Sequence, residues 1–321
     1  METAVAQRPL PRLPQFFHPM PDSPTPPQPA PARGVLGKPA GPSRKGAKDQ
    51  IIERFEKKYL IHPRLVPQIR KWMEPFCIPD PNARGAIPEY TTTTMQLDTP
   101  FMLLARAGER NASPRFKMRI RTYGYDAPPK GAVFVELKRR VLNGMVVKSR
   151  SMLTRSMWHR HIITKPDTSP LLRSAKDNSN FLEFCRLARE LGAAPKMLIR
   201  YIRESYFSAN DDYARVTFDR RVSYRPHHTW DLPGPELADW KLWHPIDTTF
   251  GMGMDYSPYI LELKAMADAP TWMLELAERF NLDATGFCKY ATAMRVENAA
   301  INGISYDSET HNLMPYTQAF Y

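Results

Sequence analysis

A row of cations at every second position is the first feature of this sequence that could do chemistry. Residues Arg115–Tyr123 read RFKMRIRTY. In an extended strand the side chains alternate between two faces, so one face is apolar and the other is cationic. The cationic face holds Arg115, Lys117, Arg119 and Arg121. Like charges this close repel one another, and an anionic ligand would therefore stabilise this face.

Similar charged faces recur in the other strand-like segments. Their cations are Arg54, Lys58, Lys138, Lys148, Arg150, Arg203, Arg215 and Lys264. Antiparallel sheets often turn one polar face to water, and this interpretation stays open for any single strand. Recurrent arginine with few acids favours faces that point into a barrel wide enough for a ligand. Such a channel would suit phosphate, because arginine forks match its oxygens and lysine supplies point charges.

Three glutamates share these charged faces, namely Glu56, Glu136 and Glu262. Carboxylate oxygens together with phosphate oxygens would hold a hard divalent ion such as Mg²⁺ or Mn²⁺. Each glutamate could instead balance a neighbouring lysine or arginine, and for Glu136 the two interpretations stand equal. The sequence therefore predicts a site for a polyanion, in which the three glutamates either bind a metal ion or balance neighbouring cations.

The elements that would position these faces are mainly strands. Period-two alternation with β-branched or aromatic residues covers the segments YTTTTMQLDT, PRFKMRIRTYG, AVFVELKRRV, MVVKSRSML, KMLIRYIRESYF, YARVTFDRRVSYR and SPYILELKAM. Helical spacing is found in the segments HPRLVPQIRKWMEPF, NSNFLEFCRLARELG, TWMLELAERFNL and GFCKYATAM. We predict an α+β fold with a mostly antiparallel sheet and flanking helices.

The chain is predicted to have one folded domain between two extensions. Residues 1–48 are rich in Pro, Ala, Gly and Ser, which predicts a disordered tail that could dock an unknown partner. The domain spans residues 49–300 and includes a long Trp- and Pro-rich loop or insertion at 225–258. Residues 301–321 are a C-terminal extension.

Composition narrows the classes of partner and compartment. The 321 residues carry a formal net charge of +12, which favours an anionic partner such as nucleic acid, phosphate or an acidic lipid surface. The three cysteines include no CxxC pair, so we expect neither a disulfide partner nor a zinc ribbon. No apolar run is long enough for a transmembrane segment and no secretory signal is visible, so we expect a cytoplasmic protein.

Nine short motifs occur in an order that resembles the VTC domain, the polyphosphate polymerase branch of the triphosphate tunnel metalloenzyme (CYTH-like) superfamily. The first five are R-x-E-x-K-Y at 54–59, LDT at 97–99, K-x-R-x-R-x-Y at 117–123, FVELK at 134–138 and K-x-R at 148–150. The other four are Y-x-R at 201–203, R-x-T-x-D at 215–219, ILELK at 260–264 and KY at 289–290. The resemblance covers residues from about Ile51 to Met294.

This resemblance implies an antiparallel β-barrel tunnel that uses ATP as substrate, extends inorganic polyphosphate and needs Mn²⁺ or Mg²⁺. It implies that the triphosphate is held by Arg119, Arg121, Lys138, Arg203 and Arg215. It implies a product path or terminal-phosphate site lined by Lys58, Lys148, Arg150, Lys264 and Lys289. Further binding residues are Arg54, Lys117 and Tyr201. Glu262 would be the main metal ligand, with Glu56 and Glu136 as secondary ligands.

Departures from the family pattern leave alternatives open. Arg54 replaces the first acid of the E-x-E-x-K motif typical of the triphosphatases, which favours the polymerase branch. Cys288 stands where the family usually has Ser, and the 225–258 insertion is longer than expected. A metal-dependent inorganic or nucleoside triphosphatase of the same fold is the alternative. A non-catalytic polyanion- or nucleic-acid-binding protein is disfavoured, because aromatic residues beside the cations are sparse for base stacking.

Overall fold

A computed structural model describes residues 54–83, 85–109, 114–124, 131–140, 146–166, 172, 174–210, 213–234, 240–242, 258–266, 269–285, 288–301, 304–306 and 313–315. The predicted tail at 1–48 lies outside these residues, as do most of the 225–258 insertion and most of the C-terminal extension. The predicted domain boundaries therefore stay predictions.

The fold is dominated by strands. They are β1 (Arg54–Ile61), β2 (Cys77–Pro79), β3 (Glu89–Asp98), β4 (Arg115–Tyr123), β5 (Ala132–Arg140), β6 (Val146–Thr154), β7 (Ala194–Ser208), β8 (Arg215–Pro226), β9 (Lys241–Leu242), β10 (Tyr259–Met266), β11 (Ile304–Tyr306) and β12 (Leu313–Pro315). The α-helices are α1 (Val66–Met73), α2 (Leu103–Glu109), α3 (Arg160–Thr164), α4 (Ala175–Glu190), α5 (Thr271–Arg279) and α6 (Lys289–Ile301). Short 3₁₀ helices cover Pro63–Leu65 and Arg155–Met157.

The predicted antiparallel sheet with flanking helices is confirmed, and within the described residues the sheet does not close into the complete ring expected of a barrel. The strand order is β1–β10–β8–β7–β3–β4–β5–β6, with β2 paired to β7 and β9 to β8. Strands β1 and β6 are thus the two ends of the ladder, and no hydrogen-bonded pairing of described residues joins them. Closure needs backbone pairing between the first and last strands, and side-chain parity carries no information about that pairing.

The sheet folds round so that its two faces have different surroundings. Outward-facing apolar residues on β3–β6 pack under α3 and α4, with Phe181 and Phe184 almost fully buried. Outward-facing residues on β1, β8 and β10 pack under α1 and α5 in the same way. The helices therefore cover the outside of the sheet and leave the cationic faces turned inward.

One end of the interior is apolar and filled. Residues of β7, β8 and β10 pack there against Tyr290 and Ala293 of α6. A register shift between Arg200 and Ile202 marks a β-bulge in the β7–β8 pair, and Arg221 on β8 adopts a left-handed φ of 50°. An extra residue in one strand changes which side chains face inward. The bulge thus separates the charged part of β8 from its apolar part.

The described part of the Trp-rich insertion packs on the outer side of the sheet. Trp158 donates its indole N–H to the Trp230 carbonyl at 2.6 Å. The buried Arg200 guanidinium donates to the Gly234 carbonyl at 2.8 Å and lies 4.2 Å from the ring centroid of Trp240. These described residues of the insertion therefore pack over part of β7 and β8. None of the described helices is long and apolar enough to cross a membrane.

Candidate active site

The inward faces of eight strands bring the predicted cations together. Because neighbouring strands pair in register, inward residues lie opposite one another: Glu136 faces Arg119 on one side and Arg150 on the other, and Lys58 faces Glu262. The alternation seen in the sequence thus becomes two clusters of charge around buried carboxylates.

The Glu136 cluster consists of Glu136, Arg119, Arg121, Lys148 and Arg150. One carboxylate oxygen of Glu136 lies 2.6 Å from Arg119 Nε, and the other lies 2.9 Å from Arg150 Nε. Lys148 Nζ is 3.2 Å away and Arg121 Nη1 is 3.9 Å away. Glu136 is 0% exposed. A single buried carboxylate therefore faces several cations, which leaves this cluster with excess positive charge.

The Glu262 cluster consists of the carboxylates Asp219 and Glu262 and of four cations. The cations are Lys58, Arg203, Lys264 and Lys289. Arg203 donates from Nε and Nη2 to Asp219 at 2.6 and 2.7 Å, and from Nη2 to Glu262 at 3.1 Å. Lys289 Nζ lies 2.6 Å from Asp219 and 3.4 Å from Glu262. Lys264 also donates to Glu262, and Lys58 Nζ is 3.8 Å from it.

Glu56 connects the first strand to the far side of the sheet. Its carboxylate lies 3.9 Å from Lys58 on the same strand and 3.5 Å from Lys138 on β5. Strand β3 lies between β4 and β7, with Thr94 opposite Arg121 and Tyr90 opposite Arg203, so the two clusters face the same interior. The interior is thus bordered by charges from both ends of the ladder.

All the interior carboxylates are held ionised. Burial alone would raise the pKa of Glu56, but Lys264, Lys138 and Lys58 lower that pKa to about 2. Burial opposes ionisation of Glu136 too, yet Arg119 and Arg121 hold its pKa well below its usual range. Lysines and Arg203 have the same effect on the pKa of Glu262. A carboxylate with so low a pKa is a poor proton acceptor at neutral pH.

Burial lowers the pKa of two interior lysines, which disfavours their charged form, whereas burial is outweighed at Lys289, whose pKa Asp219 and Glu262 raise. Burial lowers the pKa of Lys148 to about 8, because the attraction of Glu136 does not outweigh burial and repulsion by the neighbouring arginines. Burial likewise lowers the pKa of Lys138, with Glu56 opposing it. A bound anion would relieve this repulsion and favour the charged lysines.

Two buried polar atoms on β8 lack a hydrogen-bond partner among the described residues. They are Arg215 Nε and Thr217 Oγ1, both in the part of β8 that pairs with Lys264 and Glu262. The Arg215 guanidinium lies 4.2 Å from the ring centroid of Phe207. A buried unsatisfied donor costs free energy, and an anion in the interior would satisfy it.

Tyr201 lies beneath the cations of the Glu262 cluster. Its ring centroid is 5.3 Å from Arg203 Cζ and 4.8 Å from Lys289 Nζ. Cation–π contacts of this kind restrain the direction of a side chain. Tyr201 therefore helps to orient Arg203 and Lys289 towards the interior.

The structure gathers most of the predicted site residues but divides the proposed metal ligands. Glu136 belongs to a different cluster from Glu262, and Glu56 contacts only lysines in the ion pairs found here. Arg54 is placed by register alone, opposite Met266. Among the described residues, no group of three or more His, Cys, Asp or Glu could hold a metal by itself.

The donor chemistry nevertheless fits a divalent ion shared with phosphate. Asp219 and Glu262 both contact Lys289, so their oxygens point at one common cation position. Carboxylate oxygens are the ligands that Mg²⁺ and Mn²⁺ prefer, and Mg²⁺ is commonly held by one or two carboxylates with substrate phosphates. The residues therefore suit a phosphate-bridged ion better than a site made of protein ligands alone.

Sequence reasoning missed two features of the site. Asp219 was part of the R-x-T-x-D motif but received no role, although its strict alternation with Arg215 and Thr217 placed it on the inward face. Lys117 donates to Cys288 Sγ at 3.2 Å. Burial would raise the pKa of Cys288, but Lys117 and the Ala291 backbone lower it to about 7. The contact joins β4 to the start of α6, which no local pattern predicts.

The LDT motif anchors the helices that bound the site. Asp98 is 0% exposed and accepts the backbone N–H groups of Thr99, Leu104 and Ala105 at 2.7–2.9 Å. The hydroxyl of Tyr290 donates to the same carboxylate at 3.0 Å. Asp98 thus caps α2 and ties it to α6, whose first residue is Lys289.

Comparison with known proteins identifies a domain. Residues 53–298 match the VTC domain. No curated protein sequence matches the chain. A Vibrio parahaemolyticus protein provisionally described as an adenylate cyclase is similar in structure, with a TM-score of 0.38 and 12% identity over 76% of this chain and 99% of that chain.

The PH1819 protein of Pyrococcus horikoshii OT3 gives a TM-score of 0.36 and 9% identity, over 75% of this chain and 98% of that chain. TM-scores of this size establish no function. The VTC match covers the strands that supply both carboxylate clusters and also Lys289 on α6.

Proposed function

This chain belongs to the VTC domain family, and on that premise we propose that it is an ATP-dependent polyphosphate polymerase. It would transfer the γ-phosphate of ATP to a growing polyphosphate chain in the cationic interior, with Mn²⁺ or Mg²⁺. Family membership supports the coarser assignment, a polyphosphate-related triphosphate tunnel enzyme. The finer assignment rests on the geometry and chemistry of the interior.

The observation that carries the proposal is the shared interior, in which cations outnumber carboxylates. Some buried hydrogen-bond donors there have no acceptor among the described residues. The Glu136 cluster has one carboxylate among Arg119, Arg121, Lys148 and Arg150. Arg215 Nε is buried without a hydrogen-bond partner among the described residues. A triphosphate would supply the missing negative charge and the missing acceptors.

The mechanism follows from positioning and charge neutralisation. Arg119, Arg121 and Arg150 would bind the oxygens of the transferring phosphate, and Arg203 with Lys289 would hold the other side of the triphosphate. In-line transfer needs the acceptor phosphate and the leaving group on opposite sides of the γ-phosphorus. A divalent ion held by Glu262 and Asp219 would neutralise charge on the phosphate oxygens when bound.

A phosphate acceptor suits this interior better than water does. Water must lose a proton during attack, whereas the terminal oxygen of polyphosphate is already ionised. The pKa values of Glu56, Glu136, Asp219 and Glu262 are all lowered, so none of these carboxylates is poised as a general base. The lysines Lys58, Lys117, Lys138 and Lys264 would line the path of the growing chain.

Hydrolysis of a triphosphate is the second candidate, and one observation favours it. The ion pairs that place Arg119, Arg150 and Arg203 in the interior do not depend on the acceptor, so these cations would hold a triphosphate equally well for hydrolysis. A triphosphatase would use the same cations with water as the acceptor. It would release orthophosphate and form no chain.

The deciding experiment is incubation of the full chain with γ-labelled ATP and Mn²⁺ or Mg²⁺, with products separated on a gel. We expect a ladder of phosphate chains and ADP. Orthophosphate as the sole labelled product would replace the polymerase by the triphosphatase. Tight binding of polyphosphate without any turnover would leave a non-catalytic polyanion-binding protein.

A matched pair of variants tests the inward-facing cations. Arg119→Ala removes one cation of the Glu136 cluster, and we expect at least about a hundredfold loss of turnover, because one preorganised charge donor has about that effect. Lys57→Ala removes an exposed cation on the outward face of β1 and should leave turnover unchanged. Equal effects of the two substitutions would contradict an interior site.

A further inference from the structure

Three aromatic rings lie side by side on the inward face at one end of β3, β4 and β5. They are Tyr90, Tyr123 and Phe134, and we call them the aromatic wall. The ring centroids of Tyr90 and Tyr123 are 5.5 Å apart with an interplanar angle of 79°. Those of Tyr123 and Phe134 are 5.6 Å apart at 72°. The wall is therefore a continuous edge-to-face series across three strands.

The wall is in direct contact with the phosphate-binding cations. Arg150 Cζ lies 4.0 Å from the ring centroid of Phe134, and Arg150 Nη2 donates to the Tyr123 hydroxyl at 3.1 Å. The same guanidinium lies 2.9 Å from Glu136 through Nε. Tyr90 is opposite Arg203 in the β3–β7 pairing. A phosphate held by Arg150 and Arg203 would thus sit next to aromatic surface.

The three rings are less buried than the apolar side chains of the outer cores, although the Arg150 guanidinium packs over Phe134. Residues of the outer cores, such as Met118 and Ile120 on β4, are about 1% exposed. The three rings of the wall are only partly buried, and they share the face of the charged residues. Partly exposed rings beside a cationic groove are the arrangement with which proteins stack nucleobases.

The two ends of the interior differ in chemistry. At the end away from the wall, α6 and the apolar parts of β7, β8 and β10 fill part of the space. The remaining strands present Lys117 there, beside Cys288, and Arg115 opposite Arg140. The tyrosines at that end, such as Tyr224 and Tyr290, are buried, so a planar base is better matched by the partly exposed rings of the wall.

We propose that the aromatic wall binds the base of a nucleoside triphosphate whose phosphates lie on the Glu136 and Glu262 clusters. This inference rests on the proposed function and names the residues by which that site would distinguish ATP from inorganic tripolyphosphate. It also sets the orientation, with the base at the wall and the γ-phosphate further inside, on the cations of the two clusters. Phe134, Tyr123 and Tyr90 are then specificity residues.

The experiment compares two probes on each protein. Affinities for ATP and for inorganic tripolyphosphate are measured by titration calorimetry with Mn²⁺ for the full chain, Phe134→Leu, Tyr90→Leu and Phe134→Trp. Leucine keeps apolar volume but removes the π face, whereas tryptophan restores it. Phe101→Leu is the matched control, because Phe101 is 73% exposed and lies outside the wall. Melting temperatures of all variants report whether the fold is kept.

We expect the natural chain to bind ATP more tightly than tripolyphosphate. Phe134→Leu should lose about tenfold in ATP affinity, the size of one base–aromatic stack, with tripolyphosphate affinity nearly unchanged. Phe134→Trp should recover the preference for ATP, and Phe101→Leu should keep it. Tyr90→Leu should also reduce the difference between the affinities for ATP and for tripolyphosphate.

Two results would overturn the inference, and they are distinguishable. Equal affinities for both probes in the natural chain, unchanged in Phe134→Leu, would remove the base subsite and leave the triphosphate site intact. Parallel losses for both probes would show that Phe134 acts only by supporting Arg150. Binding of neither probe by a folded chain would instead overturn the proposed function itself.

Discussion

At the scale of residues, the buried carboxylates act as internal counter-ions. Glu136 and Glu262 each contact several cations that would otherwise repel one another. Their lowered pKa values mean that they remain charged across the neutral range. They therefore hold the arginines and lysines in a binding-ready arrangement before any ligand arrives, which reduces the reorganisation that binding requires.

Lys148 makes triphosphate affinity depend on pH. Burial lowers its pKa to about 8, with Glu136 opposing and Arg119, Arg150 and Arg121 reinforcing the shift. Its charge is therefore lost as pH rises from about 7 to about 9, and we expect tripolyphosphate affinity to fall over this window. Lys148→Arg stays charged and should flatten the profile, as measured by titration at each pH.

A second group titrates nearby, so the control must remove it. The pKa of Cys288 is lowered to about 7, and its thiolate would pair with Lys117. The pH series is therefore repeated in a Cys288→Ser background. A fall in affinity that persists in Cys288→Ser with Lys148→Arg would contradict the assignment to Lys148.

The alternation of side chains within a strand was enough to predict which residues face the interior. It was not enough to predict which of these residues contact one another. Arg119 and Arg121 face inward as predicted, because the alternation is a local property of β4. The separation of Glu136 from Glu262 depends on the order of strands in the sheet, and that order is not encoded in the spacing of any one segment. The metal ligand set stays a prediction for the same reason.

At the scale of elements, Asp98 is the residue on which α2 and α6 depend. It accepts three backbone N–H groups at the start of α2 and the hydroxyl of Tyr290 on α6. Because α6 begins at Lys289, the same carboxylate sets the position of a cation that contacts both Asp219 and Glu262. The hydrogen bonds of Asp98 are thus linked to the Glu262 cluster through helix α6.

Asp98→Ala should destabilise the protein and weaken binding together. Removing the acceptor leaves buried N–H groups unsatisfied, and we expect the free energy of unfolding to fall by about 2–4 kcal/mol. Tyr290→Phe removes one hydrogen bond and should cost about 0.5–1.5 kcal/mol. Urea unfolding measures both losses, and calorimetry measures tripolyphosphate affinity in the same samples.

The cap of α4 offers a matched control. Ser174 accepts the N–H of Asp177 at 3.1 Å on the outside of the sheet. Ser174→Ala should cost about 1 kcal/mol and leave tripolyphosphate affinity unchanged. A loss of affinity in Ser174→Ala equal to that in Asp98→Ala would show that binding follows overall stability and not the position of α6.

Long elements were predictable from sequence and short ones were not. The alternation of β3–β8 and the helical spacing of α1 agree with the structure, whereas α6 continues to Ile301, beyond its predicted segment GFCKYATAM. Helix α4 begins earlier than its predicted segment, at Ala175 after the Ser174 cap. Helix α2 was missed, because LLARAGE is short and its first turn depends on Asp98 rather than on helix propensity.

At the scale of the whole molecule, the cationic interior makes stability depend on ligand. A polyanion that binds only the folded state stabilises it by about 2.7 kcal/mol at a concentration of 100 times its dissociation constant. For a domain of this size we expect a rise in melting temperature of about 5–10 °C with tripolyphosphate. Added salt should reduce the rise, because it screens exposed charges.

The same melting experiment tests the N-terminal tail. Deletion of residues 1–48 should change neither the melting temperature nor its response to tripolyphosphate, since the composition of the tail cannot build a core. Loss of the response in the deleted chain would show that the tail contributes to the site. An absent response in the full chain would contradict a polyanion-binding interior.

The open ladder between β1 and β6 determines how a polymer can reach the site. A fully hydrogen-bonded ring admits a long molecule only by threading its free end. Here the described backbone leaves the ring unclosed, and ion pairs such as Glu56 with Lys138 bridge from β1 to β5. Side-chain bridges can open and re-form without breaking a backbone ladder. On the proposed function, a polyphosphate chain longer than the interior could therefore enter sideways between β1 and β6 and would not need to thread its free end.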